Sequence, residues 1–95
     1  MSAYLLPKEH HLQAGLRLRQ AIAACQMKQV EAAEVMGVTK NHLGNWLRGE
    51  APIRMYELYR FCRMTGVTAD WVILGDPSGL PRRIAERLIE AAHSE

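Results

Sequence analysis

A short segment in the middle of the chain, residues 39–48, carries the side chains with the clearest chemistry. Its pattern predicts a helix, and at 100° per residue Leu43, Trp46 and Leu47 fall on one apolar face, which we expect to be buried. The opposite face carries amides, cations and a glycine, namely Lys40, Asn41, Gly44, Asn45 and Arg48. In the major groove of DNA, asparagine pairs with adenine through two hydrogen bonds, and lysine or arginine pairs with guanine. Recognition of base edges is therefore the chemistry that this face supports.

Gly44 is the unusual residue of the polar face. A glycine inside a helix costs about 1 kcal/mol relative to alanine, and this one points away from the core, so internal packing does not explain it. The side chains of Asn41 and Asn45 are short, so they reach base edges only if the helix backbone comes close to DNA. A glycine at the centre of the face removes the side chain that would prevent this approach. A solvated polar face with an incidental glycine is the alternative that these residues leave open.

Helical spacing dominates the rest of the sequence as well, and no stretch alternates as a strand would. Thr39 has the hydroxyl of a helix N-cap, and Gly49 suits the left-handed conformation at a helix end. The other predicted helices cover residues 7 or 10 to 25, 29–36, 53–64, 69–74 and 81–93. The fold class we predict is all-α, a compact bundle of five or six short helices.

The composition is that of one folded domain, which we assign to residues 1–95. Hydrophobic residues make up 48% and charged residues 23% of the chain, which is ordinary for a folded protein. The net charge of +2 is small, but residues 8–66 contain nine Lys/Arg and five Asp/Glu, whereas residues 67–95 contain three and five. A basic body with an acidic tail permits a surface that binds a polyanion without requiring one.

Several classes of function lack the residues that they need. No apolar run approaches the roughly 20 residues that span a bilayer, so we expect no membrane segment. Cys25 and Cys62 form no CxxC pair, and His10 and His11 lack the i, i+4 spacing of helical ligands, so we expect neither metal nor cofactor. No nucleophile has a supporting base and no HExxH motif is present, so we do not expect an enzyme. Without a signal-like N-terminus, the expected location is the cytoplasm, at the nucleoid.

The segment QVEAAEVMGVTKNHLGNWLRG, residues 29–49, resembles the helix-turn-helix of the lambda-repressor/Cro (XRE) family. The matching positions are the family's leading glutamine, its small residue at the helix crossing, its turn, its cap, its core residues and its helix end: Gln29, Ala33, Gly37, Val38, Thr39, Leu43, Trp46 and Gly49. GVTADWVILGDPSGLP, residues 66–81, further resembles the C-terminal part of a bacterial subgroup. The resemblance covers about residues 12–81 and implies a lambda-repressor-like core over residues 8–76.

The resemblance also implies roles for individual residues. The positions at which the family reads bases hold Lys40, Asn41, Gly44 and Asn45. The positions expected to meet phosphate hold Lys28, Gln29, Thr39, His42, Arg48 and Arg54. Lys28 departs from the usual Ser/Thr cap of the second helix, which loses a cap bond but places a cation beside the expected DNA backbone. Phosphate contacts set register and affinity, and base contacts set sequence preference.

A second departure from the family concerns Ile22 and Leu47. Many relatives place an arginine and a glutamate at these positions as an internal ion pair, and both are apolar in this sequence. Because the two positions changed together, no unpaired charge is expected in the core. Replacing a buried ion pair with packed hydrophobic residues is often neutral or stabilising.

The C-terminal segment, residues 80–93, carries an apolar stripe that needs a surface to cover it. Leu80, Ile84 and Leu88 repeat at i, i+4 and i+8. Proteins with this motif usually bind two half-sites as two-fold dimers. We therefore predict a homodimer built through the C-terminal segment, with candidate contacts at Val72, Ile73, Leu80, Ile84 and Leu88. Packing of the last helix on its own core is the alternative.

These features predict a bacterial or phage transcriptional regulator, such as a repressor. Its partner would be a double-stranded DNA operator, with residues 39–48 in the major groove. A protein-interaction adaptor that keeps the fold without binding DNA is one alternative. An antitoxin that binds both DNA and a toxin is another.

Overall fold

Six helices follow one another along the chain, which a computed structural model describes for residues 3–94, with side chains through Ala91. They are α1 (Pro7–Ala24), α2 (Gln29–Met36), α3 (Lys40–Leu47), α4 (Met55–Thr65), the short π-helical α5 (Asp70–Leu74) and α6 (Arg82–Ser94). No strand occurs between residues 3 and 94. The prediction of an all-α fold is confirmed. Residues 1, 2 and 95 of the predicted 1–95 domain lie outside the described residues.

The helix ends form where the sequence provides caps. The Thr39 hydroxyl accepts a hydrogen bond from the backbone N–H of His42 at 3.1 Å, as expected of an N-cap. Gly37 and Gly66 end α2 and α4 in the left-handed conformation, with φ of 76° and 91°. α4 begins two residues later than predicted, because Ile53 instead packs against the core from an extended link.

The core forms around α1. This helix packs against α3, α5 and α6, whereas α2 packs against α3 and α4. The largest fully buried side chains come from all of these helices or the links between them: Trp46, Phe61, Leu18, Met36, Leu43, Leu58, Ile84, Val67 and Val72. Ile22 and Leu47 are both buried in the same cluster, and no polar or charged residue is buried within the described part of the chain. The paired apolar change thus leaves no buried charge.

The contact between α1 and the end of α3 depends on Gly15, a glycine for which the sequence pattern predicted no role. A Cβ added at Gly15 would overlap the carbonyl oxygen of Trp46 and lie 3.0 Å from that of Leu47. At Gly49, a Cβ would lie 2.7 Å from Cα of Leu12. The two backbones therefore meet without intervening side chains, and this contact sets the position of α3 relative to α1.

Alanine at two helical glycines should have opposite effects on stability. Gly15→Ala should lower the free energy of unfolding by about 3 kcal/mol, because the new methyl group meets backbone that cannot move cheaply. Gly44→Ala should raise the free energy of unfolding by up to about 1 kcal/mol, since its nearest neighbour is the flexible end of Arg48. Urea denaturation of both variants measures this contrast. A Gly15→Ala protein as stable as the original chain would contradict the close contact.

The apolar stripe of the C-terminal segment is covered largely by the chain's own core. Val72, Ile84 and Leu88 are buried within the chain, and Ile73 and Leu80 pack against the same core. The physical reason is that α1 has a further apolar face, which α5 and α6 cover. Most of the contacts of these five residues thus lie within the monomer, which agrees with the alternative that the last helix packs on its own core; the homodimer itself stays a prediction.

A cationic side chain attaches α5 to α1. The Arg17 guanidinium donates from Nε to the carbonyl oxygen of Val72 at 2.8 Å and from Nη2 to that of Ile73 at 3.0 Å. These carbonyls lie at the C-terminal end of α5, where helical carbonyls lack partners along the helix. Partial burial lowers the pKa of Arg17. The short helix is thus held by two hydrogen bonds from one side chain.

Removing these donors should loosen α5. Arg17→Met keeps most of the stem but leaves two part-buried carbonyls without the guanidinium, so the free energy of unfolding should fall by roughly 1–3 kcal/mol. Arg19→Met is the matched control, since Arg19 is exposed on the same helix. Thermal denaturation compares the two variants. Equal losses would mean that the Arg17 bonds contribute nothing beyond a surface charge.

Candidate nucleic-acid interface

α3 presents one polar face to solvent and packs its other face into the core. Leu43, Trp46 and Leu47 are 0%, 1% and 5% exposed. On the other side, Lys40 and Asn41 are exposed, and Asn45 is half-buried. The first turn of the helix therefore exposes an amide and a cation to solvent, and the buried apolar face holds the helix against the core.

Gly44 lies on the outer face, as predicted, and the side chain of Arg48 lies beside it. A Cβ at Gly44 would lie 3.0 Å from Nη1 of Arg48. The guanidinium thus lies against the helix backbone where a side chain would otherwise project. The absence of a side chain at this position makes room for Arg48 in the free protein, and the same absence would favour close approach to DNA.

Arg48 is engaged by two neighbours. It donates from Nε to Oε1 of Glu50 at 2.9 Å and from Nη2 to Oδ1 of Asn45 at 2.7 Å. The Glu50 hydrogen bond, and secondarily its charge, raises the pKa of Arg48. Glu50 is not among the residues predicted from the sequence to take part in the site. The glycine at position 49 could have indicated this contact, because its left-handed conformation turns the chain back and brings Glu50 next to Arg48.

The predicted phosphate contacts next to α3 gather around one aromatic ring. The His42 ring lies 5.6 Å from the Trp46 ring, and the Arg54 guanidinium lies 5.9 Å from it. Arg54 also pairs with Glu57 at 3.3 Å. Thr39 uses its hydroxyl oxygen as the cap of α3, so its hydroxyl proton remains a possible donor to phosphate.

The remaining two phosphate candidates lie at the beginning of α2. Lys28 is the N-cap residue, and its side chain makes no cap hydrogen bond. The Glu31 carboxylate compensates by accepting from the backbone N–H of Lys28 at 3.0 Å. The ammonium of Lys28 is exposed, and Gln29 is the first, half-buried residue of the helix. A cation and an amide thus stand at a helix N-terminus, where backbone N–H groups favour anions.

Two negative findings concern the described residues only. No helix between residues 3 and 94 is long and apolar enough to cross a membrane. Nor do His, Cys, Asp and Glu side chains in that part of the chain form a group of three or more that could hold a metal ion. Cys25 and Cys62 are free thiols, and burial raises the pKa of Cys62 to about 11.

Comparison with known proteins assigns the chain to a family. A family model described as Helix-turn-helix matches residues 18–72, which is more than half of the chain. The chain therefore belongs to the helix-turn-helix family of the XRE, or lambda-repressor, type, and the resemblance seen in the sequence is confirmed. It carries a domain of DNA-binding regulators, a family that is not typically enzymatic. No match to a curated protein or to a solved structure was found.

Proposed function

We propose that the protein is a sequence-specific regulator of transcription, of bacterial or phage type, that inserts α3 into the major groove of double-stranded DNA. The observation that carries this proposal is the outward face of α3, which combines Lys40, Asn41 and Asn45 with a glycine on a helix buried from behind. Eight helical residues extend about 12 Å, and a major groove is wide enough to admit an α-helix. A site this short reads only a few base pairs.

Phosphate contacts would flank the reading helix. We propose Lys28 and Gln29 on one side and His42, Thr39 and Arg54 near α3 as the groups that hold the DNA backbone. Lys28 makes no ion pair among the described residues, so its charge is available to a phosphate. Such contacts release counterions and make affinity fall with salt. An adaptor that does not bind DNA would show no such dependence.

The decisive experiment is selection of bound fragments from a random pool of DNA, followed by titration of the selected site. Binding to selected and random DNA is measured at about 50 mM and about 200 mM salt, since each neutralised phosphate contributes a slope of roughly −0.9. A regulator should prefer the selected site at both concentrations. Failure to enrich any sequence would contradict the proposal.

Two substitutions should separate base reading from phosphate binding. Asn41→Ala should weaken binding to the selected site by about 1–3 kcal/mol and leave random DNA nearly unaffected. Lys28→Gln should weaken both and reduce the salt slope by about one. Fluorescence anisotropy on the two DNAs measures these effects. An equal loss for Asn41→Ala on both DNAs would show that this side chain does not read sequence.

We further propose that the regulator acts as a homodimer, since one α3 covers too few base pairs and related motifs pair half-sites about 34–36 Å apart. The surface that we propose for the dimer is a groove of about 320 Å³ where α1, α5, the link over residues 75–81 and α6 meet, and the outer edges of Leu80 and Leu88 contribute to it. Its walls are mostly apolar, formed by Gln20, Trp71, Pro77, Leu80, Ala85, Leu88 and Ile89. The buried indole N–H of Trp71 has no acceptor within the described residues. Because that nitrogen is shielded from solvent, it does not offer a hydrogen bond to a second copy, and the apolar walls of the groove carry the dimer proposal.

The dimer proposal predicts the effect of one exposed residue. Ile89 is 60% exposed, so Ile89→Glu should leave the fold intact while placing a charge in the groove. The variant should sediment as a monomer and bind the selected site about a hundredfold more weakly. Met64→Glu is the matched control, because Met64 is 69% exposed on α4. A monomeric original chain, or a dimeric Ile89→Glu variant, would contradict the proposal.

A further inference from the structure

The cluster at the end of α3 orients one of the candidate base-reading side chains. Nη2 of Arg48 lies 2.7 Å from Oδ1 of Asn45. A guanidinium only donates hydrogen bonds, so the amide atom that faces it is the oxygen, and the NH₂ group of Asn45 points elsewhere. The bonding chemistry therefore settles the orientation of an amide whose two ends otherwise look alike.

Glu50 holds the guanidinium in this position. Its two carboxylate oxygens lie 2.9 Å from Nε and 3.4 Å from Nη2 of Arg48. The turn that returns Glu50 to this place is closed by its own backbone N–H, which donates to the carbonyl oxygen of Asn45 at 2.9 Å. Gly44 completes the arrangement, because a side chain there would crowd Nη1 of Arg48 at 3.0 Å.

An amide oriented in this way presents its NH₂ donors freely, whereas one of the two lone pairs of Oδ1 is already used by Arg48. The two-bond pairing of asparagine with adenine needs Oδ1 to accept from the adenine amino group while Nδ2 donates to N7. In this structure, a second donor at Oδ1 would have to approach beside the Arg48 guanidinium, which is itself a cation with donors only, so the adenine amino group is disfavoured there. Guanine instead presents two acceptors, O6 and N7, in the major groove. Its edge therefore suits the free NH₂ of Asn45, and Nη1 of Arg48 lies nearby with further donors.

We propose that Glu50 is a positioning residue for base recognition: acting through Arg48, it makes Asn45 select guanine over adenine. This inference rests on the proposed function and names what one residue of that site reads. It also gives Arg48 a role other than the phosphate contact that its family position implies. If Arg48 instead leaves Glu50 for a phosphate on binding, Asn45 is free to pair with adenine, and the inference is overturned.

The test is the selection from random DNA, repeated with three variants. Asn45→Ala identifies the base pair that Asn45 contacts, as the position where sequence preference relaxes. At that position the original chain should prefer guanine over adenine by about tenfold. Glu50→Gln, which removes the carboxylate's charge from a side chain more than half exposed, should lose this preference or shift it to adenine.

Glu86→Gln is the matched control. Glu86 is also exposed and paired with an arginine, Arg82, at 3.1 Å. The substitution Glu86→Gln therefore removes one negative charge from a comparable ion pair, but on α6. It should leave the preferred base unchanged. Adenine at the Asn45 position in the original chain, or guanine retained by Glu50→Gln, would overturn this inference alone. If the original chain enriches no sequence, the proposed function falls and the inference falls with it.

Discussion

The direct contact between the backbones of α1 and α3 is the constraint on which the rest of the structure depends. Gly15 lies against the carbonyl oxygens of Trp46 and Leu47, and Gly49 lies against the backbone of Leu12. Backbone contact leaves little freedom, because neither side can yield as a flexible side chain would. The inner face of α3 is therefore packed directly against α1. This packing fixes the direction in which the outer face of α3 points.

The outer face of α3 is not a row of independent polar side chains. Toward its N-terminus, Lys40 and Asn41 are exposed. Toward its C-terminus, Asn45, Arg48 and Glu50 bond to one another. An exposed ion pair contributes little to stability, so this network matters for the direction of its donors more than for the fold. The two ends of one short helix thus present different chemistry to a ligand.

α1 organises the remainder of the domain because it packs against several helices. Its packing against α3 positions that helix, and its packing against α5 and α6 closes the core. Arg17 from α1 bonds to carbonyls of α5, and Arg87 of α6 donates to the carbonyl oxygen of Ala24 at 3.4 Å. The C-terminal segment is thereby part of the same core, and an apolar groove beside Trp71 is what remains on its outside.

The sequence by itself determined the helices, their order and the family. Local signals suffice for these, since the threonine cap at residue 39, the left-handed glycines 37 and 66, and the apolar arc of α3 each act within a few residues. Candidate residues for base and phosphate contacts followed from family position. The roles of these residues stay predictions. Lys40 and Asn41 are exposed on α3, as the pattern indicated.

Only the tertiary structure decided which surfaces are covered and which side chains meet. The stripe through Ile84 and Leu88 is equally apolar whether a second copy or α1 covers it, so its periodicity could not distinguish the two. Gly15 looks like any helical glycine until a carbonyl lies against it. Likewise, Arg48 could extend toward solvent or fold over Gly44, and its bonds to Asn45 and Glu50 depend on the turn at Gly49. Contacts of this kind depend on distances in space, which a pattern along the chain does not contain.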